Sequence, residues 1–86
     1  MYQIVVKPSA KKELKKLPNR AAAAIFEKIE SLGKNPRPEG CKKLVNNKEN
    51  IWRVRVGDYR ILYIIDDEIE IIDVQHVGHR RDVYRG

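Results

Sequence analysis

The residues best suited to chemistry lie at the end of the chain, in the segment HVGHRRDVYRG. This segment holds three arginines, two histidines and one tyrosine. An arginine guanidinium offers a planar fork of N–H donors that fits a phosphate, and a histidine or an activated tyrosine can accept a proton. Such a set of groups is suited to binding a phosphodiester and moving a proton beside it. The rest of the chain must bring a surface of matching chemistry to this tail.

Three β-rich segments precede the tail and carry further arginines. They are NIWRVRV, YRILYII and EIEIIDVQHV. Between them lie two pairs of residues that suit tight hairpin turns, Gly57-Asp58 and Asp66-Asp67. If both turns are symmetric, Arg55 faces Arg60, and Arg60 faces Asp73 on its other side. Directly opposed residues share a face, so we expect Arg53, Arg55 and Arg60 together on one face of a sheet.

The opposite face of this sheet is predicted to form a continuous apolar surface that helices can cover. Its expected members are Trp52, Val54, Val56, Tyr59, Ile61, Tyr63, Ile72 and Val74. Like charges directly opposite one another destabilise a sheet, so Arg55 beside Arg60 breaks a local rule without a structural gain. We interpret the arginine face as a binding site. The alternative is that the arginines are solvated and that Asp58 or Asp73 neutralises one of them.

The first half of the chain predicts a strand, two helices and a short second strand. MYQIVV is β-rich, and PSAKKELKKL has apolar residues at helical spacing. The segment NRAAAAIFEKIESLGKN predicts a second helix, with Asn19 as its N-cap and Gly33 near its end. The apolar stripe of this helix is expected to comprise Ala22, Ile25, Phe26, Ile29 and Leu32. CKKLV is the candidate short strand.

The order of these elements predicts an α+β fold in a single domain, residues 1–86. A strand and a helical hairpin precede a mostly antiparallel meander of three or four strands. Arg80 and Tyr84 are expected to share one side of a short C-terminal helical turn. The apolar runs, about five residues long, fall far short of the roughly 20 that cross a bilayer, so we expect a cytoplasmic protein. With one cysteine, Cys41, and no metal-ligand spacing, neither a disulfide nor a metal or cofactor is expected.

The charge of the chain favours a polyanionic partner. There are 18 Lys and Arg residues against 12 Asp and Glu, for a formal net charge of +6. Every basic residue after Lys48 is an arginine, the side chain better suited to bidentate contact with phosphate.

The stretches WRVRVGDYRILYIIDD and VGHRRDVY together resemble the RelE/ParE superfamily of toxins from type II toxin–antitoxin systems. KPSAKKELKKLP and NPRPEGCKKL are similar to the less specific N-terminal half of that family. The helical hairpin and the arginine-bearing tail resemble the RelE branch, whose members cut messenger RNA in the ribosomal A site. The resemblance implies a metal-independent reaction. A ribose 2′-OH attacks the adjacent phosphate and leaves a 2′,3′-cyclic phosphate and a 5′-OH end.

The resemblance also implies roles for individual residues. Arg60 in GDYR and Arg80 in GHR match phosphate-binding arginines that stabilise the transition state. Tyr84 in DVY matches a C-terminal tyrosine proposed to orient or deprotonate the 2′-OH. Arg53 and Arg55 stand where the best-known RelE branch has lysines. Because arginine keeps its proton at any ordinary pH, these two residues can bind RNA or stabilise charge, and the general base must lie elsewhere.

Tyr84 and His79 are the two candidates for that base. Arg81 is expected to make a peripheral contact with RNA. The expected partners are a cognate antitoxin protein, the ribosome and mRNA. Two other interpretations stay open. One is a ParE-like gyrase inhibitor, or an inactive relative that only binds its antitoxin. The other is a plain RNA-binding module, which predicts steeply salt-dependent binding without cleavage.

Overall fold

The computed structural model describes residues 1–44 and 50–79 of the chain. The elements in these ranges are β1 (Gln3–Val6), α1 (Pro8–Lys15), α2 (Asn19–Leu32), β2 (Lys42–Lys43), β3 (Ile51–Val56), β4 (Tyr59–Asp66) and β5 (Ile71–His79). The strands form one sheet in the order β1-β5-β4-β3-β2. β1 is parallel to β5, and all other neighbours are antiparallel. The predicted α+β fold is confirmed, while the predicted C-terminal helical turn lies outside the described residues.

Both helices cover the same face of the sheet. α1 begins at Pro8, whose fixed φ suits a first helical turn, and lies against β5 with Ala10 fully buried. α2 covers parts of β4, β3 and β1, and the residues it buries are Ile25, Ile29 and Leu32. The prediction that Phe26 joins this stripe is wrong. It is 55% exposed, because it lies about 100° around the helix from Ile25. Neither of these helices is long and apolar enough to span a bilayer.

The ends of α2 are set by Pro18 and Gly33. Pro18 has φ −56° and ψ 146° and occupies the N-cap, so the prediction of Asn19 as the cap is wrong. The proline already supplies the non-helical backbone that a cap needs, and its carbonyl accepts a bond from Ala22 N at 2.9 Å. Gly33 ends the helix as predicted. A Cβ there would lie 3.0 Å from Tyr2 O, so glycine permits this close passage of the chain before β1.

The first hairpin has the predicted register. Gly57-Asp58 forms the two-residue turn, with Gly57 at a φ of 59° that glycine adopts without strain. Arg55 faces Arg60, and Arg53 faces Leu62. The sheet therefore places the three predicted arginines on one face.

The turn of the second hairpin lies later in the chain than the sequence predicts. β4 continues to Asp66, which faces Ile71, so the turn spans residues 67–70. One Asp66 carboxylate oxygen accepts bonds from the backbone N–H groups two and three residues later, at 3.1 and 3.2 Å. Asp66 thus stabilises the start of the turn from the end of the strand, as aspartate commonly does.

A bulge interrupts the pairing of β4 with β5. Tyr63 faces Val74. Leu62, one residue earlier, faces His76, which leaves one extra residue in β5. Because an offset of one residue exchanges the faces of a strand, Val74 before the bulge and Val77 after it are both buried.

The long turn and the bulge together decide what lies beside Arg60. The prediction that Arg60 faces Asp73 is wrong, since Arg60 faces Gly78 and Asp73 faces Ile64. Both features displace the partner of Arg60 toward the end of β5. A glycine therefore occupies the position beside Arg60 where a carboxylate was expected.

The core lies between the sheet and the two helices. Its buried residues are Ala10, Ile25, Ile29, Leu32, Val54, Ile61, Tyr63, Ile72, Val74 and Val77. Every residue predicted for the apolar face belongs to this core or packs against it. The Tyr63 hydroxyl donates to Pro36 O at 2.7 Å, and burial raises the pKa of this phenol well above its ordinary value. Full burial of a large aliphatic side chain contributes about 1.5–3 kcal/mol, so this face holds the sheet rigid beneath the arginines.

Candidate functional site

Three arginines cluster on the sheet face that points away from the helices. Arg55 on β3 and Arg60 on β4 are direct neighbours across the hairpin, and Arg53 lies on the same face two residues before Arg55. Arg53 and Arg60 are only 8% and 6% exposed, whereas Arg55 is exposed. We call these three residues the arginine cluster.

The cluster is suited to binding an anion. Two like charges directly opposite one another repel, and burial of a guanidinium removes part of its hydration. A phosphate bound between Arg55 and Arg60 would reduce the repulsion between the two side chains. Its oxygens would accept hydrogen bonds from the N–H groups of both. The arrangement can therefore hold a phosphodiester and stabilise negative charge that develops on it.

β2 adds a further cation beside the cluster. Lys42 faces Arg53 across the pairing of β2 with β3. A cleft of about 260 Å³ lies at this edge of the sheet, and its lining includes Lys28, Glu39, Lys42, Arg53 and Arg55. Lys42 was not predicted as a site residue. The prediction of CKKLV as a short strand was the available signal, but the face of Lys42 follows only once its pairing with β3 is known.

His79 does not join the arginine cluster. It faces Tyr59, and the two rings meet edge to face with centroids 5.8 Å apart and an interplanar angle of 82°. Because Tyr59 belongs to the apolar face, His79 lies on the face covered by the helices. Its role as general base stays a prediction that this placement does not favour. Within residues 1–44 and 50–79, no three His, Cys, Asp or Glu side chains are grouped closely enough to hold a metal ion.

Arg80, Arg81 and Tyr84 lie outside the described residues, and their roles stay predictions. β5 nevertheless brings the chain to the cluster, because Gly78 faces Arg60 directly. Glycine has no side chain, so no side chain from this position of β5 extends over Arg60.

A contact that the sequence did not reveal connects α1 to the end of β5. The Glu13 carboxylate accepts a bond from Val77 N at 3.2 Å and lies 3.6 Å from His76 Nδ1. The bonded residues are 64 positions apart in sequence. The helical spacing of α1 identifies Glu13 only as a polar position, so no sequence pattern indicated this bond.

A second polar cluster, the Arg37 clasp, consists of Arg37, Asp67 and Tyr2. Arg37 binds the Asp67 carboxylate through both Nη atoms, at 2.9 and 3.4 Å, and the Tyr2 hydroxyl donates to Asp67 at 2.6 Å. Arg37 also lies over the Trp52 ring, 5.1 Å from its centroid. The hydrogen bonds from Arg37 and then Tyr2 hold the pKa of Asp67 below its usual value, and Asp67 raises the pKa of both partners. Because these groups satisfy one another, we assign the clasp a structural role.

Comparison with known proteins assigns this chain to a family. A family model described as "ParE toxin of type II toxin-antitoxin system, parDE" matches residues 4–84. Toxin RelE of Mycobacterium tuberculosis is 35% identical over 85 residues, covering 98% of this chain and 87% of that protein. Toxin RelG of the same organism is 36% identical over 85 residues, covering 98% of this chain and 97% of that protein.

Solved structures agree with these sequence matches. The toxin–antitoxin complex RelBE2 from Mycobacterium tuberculosis has a chain with a TM-score of 0.82 and 34% identity, covering 92% of this chain and 98% of that one. The isolated E. coli RelE toxin has a TM-score of 0.78 and 26% identity, covering 98% of this chain and 92% of that one. The chain therefore belongs to the RelE/ParE superfamily and is a RelE-family toxin of a type II toxin–antitoxin system.

Proposed function

We propose that this protein is a ribosome-dependent mRNA endonuclease that inhibits translation in the cytoplasm. The ribose 2′-OH of the mRNA attacks the adjacent phosphate and its proton passes to a base. The bond from phosphorus to the 5′ oxygen breaks, and that oxygen gains a proton. The products are a 2′,3′-cyclic phosphate and a 5′-OH end, so atoms and charge balance without a cofactor.

The observation that carries this proposal is the direct pairing of Arg55 with Arg60. The attacked phosphate gains negative charge in the transition state, and two adjacent guanidinium groups are positioned to stabilise it. Arg53, buried beside them, adds a third cation on the same face.

The remaining steps are assigned to the tail. In this proposal Arg80 acts with Arg60 on the phosphate, and Arg81 makes a peripheral contact with RNA. Tyr84 is the favoured base or orienting group for the 2′-OH, since His79 lies on the other face of the sheet from Arg60. Neighbouring arginines would favour the phenolate form of Tyr84 and so assist its action as a base.

A cognate antitoxin is the proposed partner that controls this activity. The similar toxins of Mycobacterium tuberculosis and E. coli have been solved as RelBE toxin–antitoxin complexes. The net charge of +6 on this chain would favour an acidic partner surface.

A second candidate function is inhibition of DNA gyrase. The matching family model is described by its ParE members, and this match is the observation that favours it. Gyrase inhibition does not require phosphate chemistry at Arg60, so the two candidates predict different effects of mutations at the site.

An in vitro translation reaction with mapped 5′ ends tests the proposal. We expect wild-type protein to cut only translated codons and to leave 5′-OH ends. The double variant Arg80→Ala/Tyr84→Phe should lose cleavage by at least about 100-fold. Arg20→Ala, which removes an exposed arginine of α2, is the matched control and should cleave like wild type. Intact mRNA together with inhibited DNA supercoiling in a gyrase assay would replace the endonuclease with the second candidate.

A further inference from the structure

A turn before β2 leaves part of the edge of β3 uncovered. Lys42 is the first residue of β2 and faces Arg53, so β2 covers the edge of β3 only as far as Arg53. Just before Lys42, Cys41 N donates to Pro38 O at 3.0 Å, and Gly40 adopts a φ of 88°. The pairing with β3 therefore does not continue through this turn. We call the cleft of about 260 Å³ at this position the edge cleft.

The backbone of Arg55 opens onto the uncovered edge. Leu44 N donates to Ile51 O at 2.9 Å, so the backbone groups of Ile51 point toward the β2 side of β3. Backbone groups of an antiparallel strand point to the same side at every second residue, and those of Arg55 therefore point to this side as well. β2 has no residue opposite Arg55, because its pairing stops at Arg53. The Arg55 N–H can thus donate to a ligand in the edge cleft.

Positive side chains surround this backbone donor. Lys42 is exposed and, because it faces Arg53, its side chain lies on the same face of the sheet as the arginine cluster. Lys28 lines the cleft from α2, and the exposed Arg55 lines it from β3. Arg53 is only 8% exposed, so the accessible cations of the lining are Lys28, Lys42 and Arg55. Glu39 contributes a carboxylate to the same lining, but the cations outnumber it.

The edge cleft suits a phosphate better than it suits a peptide strand. A peptide that adds to a sheet binds through a row of outward backbone groups. Between the end of β2 and the Gly57-Asp58 turn, Arg55 is the one residue of β3 that offers such groups. A single residue gives a peptide strand too few backbone bonds. A phosphate needs only a few N–H donors beside positive charge, and the edge cleft supplies both.

We infer that the edge cleft binds a second phosphate of the RNA substrate, the neighbour along the strand of the phosphate at the arginine cluster. The ammonium groups of Lys28 and Lys42 and the N–H of Arg55 contact this second phosphate. The two sites adjoin, because the Arg55 guanidinium belongs to the cluster while its backbone opens onto the cleft. This inference rests on the proposed function for the identity of the ligand, but its test measures binding without cleavage.

The salt dependence of RNA binding tests this inference. The probe is a short single-stranded RNA in which every 2′-OH is methylated, so the attack that would cleave it cannot occur. Each lysine or arginine that contacts a phosphate makes log Kd depend more steeply on log salt concentration. Lys42→Gln should raise Kd about threefold at low salt and reduce the slope by about 0.7 to 1.

Two further variants serve as controls for charge. Lys43 is the next residue, is equally exposed and carries the same charge, but it lies on the opposite face of β2. Lys43→Gln should therefore leave the slope unchanged. Glu39→Gln removes the carboxylate from the cleft and should lower Kd about twofold, the opposite direction from Lys42→Gln. All three residues are exposed, so the variants are expected to fold like wild type.

The amide signal of Arg55 in nuclear magnetic resonance spectra supplies a second measurement. Titration of wild-type protein with the methylated RNA should shift this signal, and Lys42→Gln should need more RNA for the same shift. A glutamate-rich peptide, titrated in the same way, tests an acidic protein partner. If the peptide shifts the Arg55 signal and the RNA does not, the cleft is a protein-binding site and the inference is wrong.

Other outcomes would also overturn the inference. Equal salt slopes for wild type and Lys42→Gln would exclude a phosphate contact of Lys42, and equal reductions in Lys42→Gln and Lys43→Gln would indicate general charge. RNA that does not bind wild-type protein would contradict it directly. None of these results depends on catalysis. Cleavage of translated mRNA with no effect of Lys42→Gln on RNA binding would refute the second phosphate site alone. A selective effect of Lys42→Gln on binding, without any cleavage, would support the site and refute the endonuclease.

Discussion

Arg55 and Arg60 face each other across one hairpin, yet they differ in their access to water. Arg60 is 6% exposed, whereas Arg55 is exposed. The same substitution at both positions therefore compares a buried with an exposed arginine while the side-chain chemistry stays the same. Their pairing could be predicted, because the Gly57-Asp58 turn between them fixes it locally. The residue that faces Arg60 on β5 could not be predicted, because it depends on the second hairpin turn and on the bulge between β4 and β5. The side chains that face each other can therefore be predicted from the sequence where one local turn sets the register of two strands.

Arg60→Lys should lower kcat for mRNA cleavage about 100-fold, because lysine keeps the charge but lacks the planar fork of donors. Arg55→Lys, the matched change at the exposed position, should lower it less than about tenfold. The rate of appearance of 5′-OH ends in a translation reaction measures both, and thermal unfolding establishes that each variant is folded. Equal losses at the two positions would contradict the expectation that the buried Arg60 contributes more to cleavage than the exposed Arg55.

Among the elements, those determined by local sequence were predicted well and those determined by distant contacts were not. Gly57 marks the first hairpin turn because it accepts a positive φ. The pair Asp66-Asp67 resembles a turn equally well, but Asp66 ends β4 and its carboxylate stabilises the turn that follows. The bulge carries no glycine or proline signal, so the placement of His79 on the helix-covered face was hidden as well. The parallel pairing of β1 with β5 likewise depends on contacts between residues that are far apart in sequence.

The Arg37 clasp connects three segments that lie outside the helices and strands, and it should make the stability of the fold depend on pH. The pKa of Asp67 is lowered in the folded chain, so its carboxylate stabilises the fold above the ordinary carboxyl pKa of about 4. That contribution is lost as pH falls through the lowered value. Asp67→Asn should therefore be less stable than wild type at pH 7. The difference between the two proteins in free energy of unfolding should become smaller toward about pH 3. Urea unfolding at both pH values measures this difference, and Glu68→Gln in the same turn serves as the control. If the difference in free energy of unfolding is the same at both pH values, the charge of Asp67 does not stabilise the fold.

At the scale of the whole molecule, the proposed function has the net charge of +6 and the arginine cluster act together on an RNA substrate. Each cation that contacts a phosphate releases counterions, so log(kcat/KM) for cleavage should fall linearly as log salt concentration rises. Arg55→Gln should reduce the steepness of that line by about 1, the expected effect of one lost phosphate contact. Arg20→Ala should leave the slope unchanged. Parallel lines for wild type and Arg55→Gln would remove Arg55 from the RNA contacts.

The strand order also determines when the sheet of this toxin can be completed during synthesis. β5 is the last strand along the described chain, yet it lies inside the sheet between β1 and β4. A nascent chain leaves the ribosome N-terminus first, so β1 and α1, which lie mainly against β5, must wait for β5 before they can pack on the sheet. Until then Gly78 is not beside Arg60, and the sheet face that carries the arginine cluster is incomplete. The sheet of this toxin is therefore completed only after β5 has left the ribosome.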